Sequence, residues 1–237
     1  MEPTIINVDE NSDSITFALT GVNVSIANAI RRVIISEIPC FVFRTTPHED
    51  NKITIHKNTS RFNNEIIKQR LSCLPIHISD MDFNYKDHSI EIDLVNDTNS
   101  IKYVTTEDIK IFNIKTNSYL NKSNVNNIFP PDKDTNYYID LLRLRPKISD
   151  TIPGEHIKLT GYFDIGTAKQ NGSFNVASTC SYKMTQNILE ANNAWMPIEQ
   201  KLSKENKDIE LEKHDWMAID GKRFVIPNSF DFIIETV

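Results

Sequence analysis

Val22-Asn23-Val24-Ser25-Ile26-Ala27-Asn28-Ala29-Ile30-Arg31-Arg32-Val33-Ile34-Ile35-Ser36-Glu37-Ile38-Pro39 reads as one helix, and the rest of the chain is organised around it. Gly21 breaks the extended segment before it, and Asn23 or Ser25 can accept from the free amides of the first turn. Pro39 stops it, because proline disfavours helical geometry in the residue before it. Ile26, Ile30, Val33 and Ile34 fall at helical spacing and predict a face lying on a sheet. A second stripe, Asn28, Arg31, Arg32 and Ile35, mixes apolar and basic groups. Such a helix is ordinarily a core helix, but arginines are rarely buried without a partner. These two either reach solvent or meet carboxylates and carbonyls across an interface. The second face is therefore predicted to meet another chain.

Composition narrows the surroundings. The chain has 237 residues, 39% hydrophobic and 24% charged, which fits one large or two small domains with an ample core. No apolar run reaches the roughly 18 residues that a membrane-spanning helix needs, and Met1-Glu2-Pro3-Thr4 lacks the basic and apolar regions of a signal peptide. An intracellular protein is expected. A net charge of −6 argues against a module that grips nucleic acid by itself, since such modules carry a basic surplus or stripe. The best local candidate, Arg143-Leu144-Arg145-Pro146-Lys147, is short. Cys40, Cys73 and Cys180 are widely spaced, an odd set that suggests reduced thiols in a reducing compartment.

Outward from the helix, Thr4–Val8 and Ser14–Leu19 read as strands joined by a turn at Glu10–Asp13. Beyond Pro39, Cys40–Phe43 and Ile53–His56 are short strands about a polar break, where a domain boundary is placed near residue 47. Phe62–Leu71 reads as a helix with Ile66, Ile67, Arg70 and Leu71 at helical spacing. Ile90–Val95 alternates, and Tyr138–Leu144 is another strand. The Asn- and Ser-rich Asn113–Lys133 reads as a surface loop. Pro153-Gly154 sets a tight turn before a strand toward Tyr162. Cys180–Met184 continues as a strand, Ile188–His214 as a charged helical excursion on the surface, and Phe230–Val237 as a final strand.

The spelling Asn28-Ala29-Ile30-Arg31-Arg32-Val33-Ile34-Ile35-Ser36-Glu37-Ile38-Pro39 resembles the first helix of the α-like assembly subunits of multisubunit RNA polymerases. That family comprises the bacterial α N-terminal domain, the archaeal D subunit and the third-largest subunit of eukaryotic polymerase II. A second stretch, Asn64-Glu65-Ile66-Ile67-Lys68-Gln69-Arg70-Leu71-Ser72-Cys73-Leu74-Pro75-Ile76, resembles a signature of the archaeal and eukaryotic branch, carried by Glu65, Arg70, Leu71 and Pro75. Gly154-Glu155-His156-Ile157-Lys158-Leu159 and Phe230-Asp231-Phe232-Ile233-Ile234-Glu235-Thr236-Val237 are also similar to family segments. Gly166–Ala177 matches the family's glycine loop more loosely, with Phe174 where Trp is usual and Val176 where Pro is usual.

The resemblance implies an α+β architecture in which residues 1–47 and 153–237 form a discontinuous dimerisation domain and 48–152 an inserted, mainly β domain. It implies a non-catalytic assembly subunit that heterodimerises with a smaller α-like partner and docks the two large catalytic subunits and small assembly subunits. Little direct DNA contact and no membrane contact are expected. Asn28, Arg31, Arg32, Ile35, Glu37 and Pro39 would form the partner interface, with the two arginines supplying charge-assisted hydrogen bonds to the partner or to the large subunit. In the family a long helix follows the last strand, so the chain reads as a fragment, or its partner supplies that helix; in some viral relatives the partner is fused C-terminally. Localisation would be host cytoplasm and virion for a viral protein, and the nucleus otherwise.

Catalytic chemistry finds no foothold. His48, His56, His77, His88, His156 and His214 are scattered without HExxH spacing, and no phosphate loop or nucleophile elbow is spelled. Pro75 separates Cys73 from His77, so they share no helical face. The clustered cysteines that hold zinc or iron–sulfur in some relatives are missing, and no metal or other cofactor is expected in this subunit; Mg²⁺ would belong to the large subunits. The alternative reading is a scaffolding protein of a large DNA virus with no polymerase role.

Overall fold

The computed structural model describes residues 2–149, 151–205 and 208–236. Val237, which the sequence reading puts in the last strand, lies outside them, as do Asp150 at the end of the middle region and Asn206 and Lys207 of the charged helical stretch. The chain is α+β and divides into two compact units: 1–35 with 177–237, and 36–176.

The outer unit carries β1 (Thr4–Glu10), β2 (Ser14–Thr20) and α1 (Val24–Ser36). The inner unit follows with β3 (Cys40–Val42), β4 (Ile53–Asn58), α2 (Asn64–Ser72), β5 (His88–Val95), β6 (Lys102–Thr105), β7 (Lys110–Asn113), β8 (Ser118–Tyr119), α3 (Lys122–Ile128), β9 (Asp140–Leu144), β10 (His156–Tyr162) and β11 (Asp164–Gly166). The chain returns to the outer unit through β12 (Ala177–Gln186), α4 (Ile188–Leu202), α5 (Ile209–Ile219) and β13 (Val225–Thr236).

The outer sheet has the order β1-β2-β13-β12, all antiparallel. Its register puts aromatic groups on one face: Phe232 lies opposite Phe17, Phe230 opposite Leu19, and Tyr182 opposite Phe232. Phe17 and Phe232 stack with ring centres 5.2 Å apart. Such cross-strand pairs, with apolar side chains recurring at every second residue, define the floor on which α1 packs. Leu19, Val22, Ala27, Cys180, Phe230 and Phe232 form the buried core there. Gly21 turns the chain from β2 into α1 at φ +75°, and a Cβ there would lie 2.4 Å from the Glu2 carbonyl oxygen; the left-handed conformation and the close approach both favour glycine.

The inner unit holds a five-stranded sheet of order β4-β10-β5-β7-β8 and two small ribbons, β11-β3 and β6-β9. Its core gathers Phe43, Ile53, Leu71, Ile90, Ile111, Leu144 and Ile157, all fully buried. The expected partition at 47/48 and 152/153 lies inside this compact unit. The reason is pairing: β10 is flanked by β4 on one side and β5 on the other, and β3 pairs with β11, so these strands pack with the middle of the chain. Gly154 allows a close crossing, since a Cβ would sit 1.7 Å from the Asn96 carbonyl oxygen.

Two expectations are corrected. Asn113–Lys133 is not a surface loop: it contains β8 and α3, and Val125, Ile128 and Phe129 enter the inner core. Their i, i+3, i+4 spacing puts them on one helical face, a signal masked by the surrounding asparagines. The stretch from Ile188 does form two helices, but they are not purely a surface excursion. Trp195 is 2% exposed, its ring centre is 5.6 Å from that of Trp216, and Trp216 lies 6.0 Å from Phe224.

Candidate partner interface

α1 starts where Asn23 accepts the Ile26 amide on its Oδ1 at 3.0 Å, a helix N-cap. The face turned to the sheet is centred on Ala27, which has no exposed surface, with Ile30, Ile34 and Ile35 packed beside it. Ile26 and Val33, expected on the sheet, are 48% and 49% exposed. The helix is rotated from its predicted orientation, with Ala27, Ile30, Ile34 and Ile35 turned to the aromatic floor. Ile26, Ala29 and Val33 then form an outward stripe at i, i+3, i+7, all exposed. Apolar side chains aligned on one free helical face are the mark of a protein-binding surface.

The predicted interface residues separate. Asn28 and Arg31 are brought together: the Arg31 Nε and Nη2 groups donate to Asn28 Oδ1 at 3.1 and 3.0 Å, and both residues are half-buried. Arg31 also lies near Cys180, whose thiol burial pushes up while the Arg31 charge pulls it the other way. Arg32 is exposed. Ile35 is half-buried against the outer core, on the flank of the helix away from the free stripe. Glu37 and Pro39 are exposed at the start of the inner unit, and Glu37 Oε1 accepts from Lys169 Nζ at 3.3 Å. The outward positions of Ile26, Ala29 and Val33 were missed; the small Ala27 between them was the available signal.

The second signature maps onto α2, capped by Asn63 Oδ1 accepting the Ile66 amide at 3.0 Å. Leu71 is fully buried in the inner core. Pro75 is exposed just beyond the helix. Glu65 faces a concavity of about 380 Å³ that Lys68, Cys73 and His48 also line. Arg70 faces a different one, and its Nη2 donates to the Asp140 carbonyl at 2.7 Å. The signature is thus split among a core residue, an exposed turn and two separate hollows.

No group of three or more His, Cys, Asp or Glu is placed to hold a metal among the described residues. No helix of theirs is long and apolar enough to cross a membrane.

The chain is similar in sequence to several known proteins. The chain is 25% identical over 201 residues to the human DNA-directed RNA polymerases I and III subunit RPAC1, covering 78% of this chain and 54% of that protein. It is 23% identical over 225 residues to the DNA-directed RNA polymerase subunit Rpo3 of Pyrococcus furiosus, covering 94% and 76%. A shorter match, 33% identical over 79 residues, covers 33% of this chain and 24% of the Schizosaccharomyces pombe DNA-directed RNA polymerase II subunit RPB3. The chain spans about half the length of the RPAC1 relatives it matches. The family described as the RNA polymerase Rpb3/Rpb11 dimerisation domain matches residues 16–194, a range that takes in α1, α2 and the return of the chain through β12, and to that family this chain belongs.

Proposed function

We propose that the chain is a non-catalytic assembly subunit of a DNA-dependent RNA polymerase. It heterodimerises through the outward face of α1 with a smaller α-like partner, separate or fused, and the pair receives the two large catalytic subunits and small assembly subunits. The observation that carries the reading is the Ile26–Ala29–Val33 stripe, left half-exposed on a well-capped helix of a dimerisation-family chain. Burying such a stripe against a like helix is favourable at roughly 25 cal/mol per Å² of apolar surface, and obligate interfaces of this type commonly exceed about 2,000 Å² in total. Edge strand β1 adds exposed Ile5, Ile6 and Val8 in the same unit.

In this reading nucleotidyl transfer and its Mg²⁺ reside in the large subunits, and this subunit holds no cofactor. Its place is intracellular: the nucleus, or host cytoplasm and virion for a viral polymerase. The net charge of −6 suits a protein that meets other proteins and touches little DNA.

Affinity purification of the tagged native protein followed by mass spectrometry tests the reading. The wild type should bring a small α-like chain, unless fused, and two very large chains at equal stoichiometry. Ile26→Glu/Val33→Glu should lose the partner contact and the large chains, because two buried carboxylates would lack counter-ions. Recovery of the protein alone, or with coat proteins, would overturn the assembly role. Unchanged recovery with the variant would move the interface off α1.

A further inference from the structure

Arg61, Arg70 and Arg143 line one concavity of about 300 Å³ in the inner unit, together with Phe62 and Asp140. The three come from the approach to α2, from α2 itself and from β9. Elsewhere Arg44, Arg145 and Arg223 each hold a carboxylate, of Asp164, Glu155 and Asp220. Among the described residues no carboxylate pairs with any of the three lining arginines. The planar groups of Arg70 and Arg143 are instead positioned by rings and, for Arg70, by backbone. The Arg70 guanidinium lies 5.9 Å from the Phe62 ring centre and spends one donor on the Asp140 carbonyl. The Arg143 guanidinium lies 4.9 Å from the centre of Tyr103, its cross-strand partner on β6.

We propose that this concavity docks an acidic peptide segment of another protein. Three positively charged forks, two of them pre-organised over aromatic faces, can donate to carboxylates in pairs of parallel hydrogen bonds. Among the described strands β9 pairs only with β6, and Asp140 to Arg143 of that strand form part of the lining, so an extended segment can run beside it. The same chemistry disfavours nucleic acid. Asp140 stands in the concavity, and with Glu107 it also borders the neighbouring hollow beside Tyr103. A continuous phosphate chain would run past both acids, whereas a peptide can space its carboxylates to avoid them. A chain of net charge −6 also lacks the basic surplus that counter-ion release from nucleic acid requires. The site is independent of the α1 surface and stands whether or not the polymerase reading holds.

Fluorescence anisotropy on the full chain tests it, with a fluorescein-labelled peptide of alternating Glu and Leu as the probe and oligothymidylate of matched length as the competitor class. The wild type should bind the peptide, with affinity falling as salt is raised. Arg61→Glu/Arg143→Glu leaves Arg70 and its backbone bond in place and should weaken binding about tenfold or more, the loss of charge-assisted contacts. Arg223→Glu, in the outer unit, should leave binding unchanged. A thermal melt checks folding, and if the reversal unfolds the protein, Arg61→Gln/Arg143→Gln takes its place with the same expected loss. No peptide binding by the wild type, equal binding by the folded variant, or tighter binding of oligothymidylate would each overturn the proposal.

Discussion

At the scale of single residues, Asp93 shows how a surface group on the inner sheet responds to acid. Its carboxylate accepts from Lys158 Nζ and from His156 Nε2, both at 2.7 Å, and hydrogen bonding to Lys158, then to His156, holds its pKa below the usual carboxylate value. A depressed folded-state pKa contributes stability above the unfolded value of about 3.9, and that contribution is lost as pH falls through the folded pKa. With 36% of the Asp93 side chain exposed, solvent screening limits it to about 0.2–1 kcal/mol. Urea titrations over a pH series should find Asp93→Asn less stable than the wild type by that amount near neutrality, with the gap closing in strong acid. A gap that widened as pH fell would show that the pair does not act this way. These partners sit on adjacent strands, β5 and β10, so nothing local in the sequence announces them.

At the scale of elements, α1 separates two kinds of position that look alike in sequence. Ile30 and Ile34 pack on the outer core, whereas Ile26 and Val33 do not, although all four are β-branched and at helical spacing. The residue at the centre of the buried arc is Ala27, fully buried in the outer core. Ala27→Leu should therefore destabilise the outer unit by about 1–3 kcal/mol, since extra methylenes at a packed contact force backbone or rotamer shifts. Chemical denaturation would measure it, and a neutral or stabilising effect would mean that the helix has slack over the sheet. The bounds of α1 were legible: Asn23 caps it, and Pro39 follows its end by a few residues; α2 was expected from Phe62, but Asn63 caps it and it begins at Asn64. The turn after β6 is held in the same way. Thr105 and Asp108 exchange side-chain and backbone bonds across it, with the Thr105 amide donating to Asp108 Oδ2 at 3.0 Å, a capping box written in four consecutive residues.

For the molecule as a whole, two separate cores imply two zones of stability. Leu71→Ala removes a fully buried side chain of the inner core and should cost about 2–5 kcal/mol. In native-state hydrogen exchange the loss should appear in amides of 36–176 and spare those of 1–35 and 177–237. A uniform loss of protection would instead show that both units unfold as one. The strands from His156 to Gly166 are spelled like the family's first domain and hydrogen-bond to β3, β4 and β5, pairings between distant segments that no local pattern announces.

The sequence by itself determined α1 with its N-cap, the existence of α2, the strands that alternate, and which family the chain resembles. Those features rest on side-chain period, capping and motif spelling, all of which act over a few residues. Only the tertiary structure decided which arc of α1 is buried, that Val125, Ile128 and Phe129 belong to the core, and that Arg61, Arg70 and Arg143 share one concavity. Each of these depends on contacts between residues far apart in the chain. There, the size of one side chain or the pairing of one strand selects among faces that the local pattern leaves equivalent.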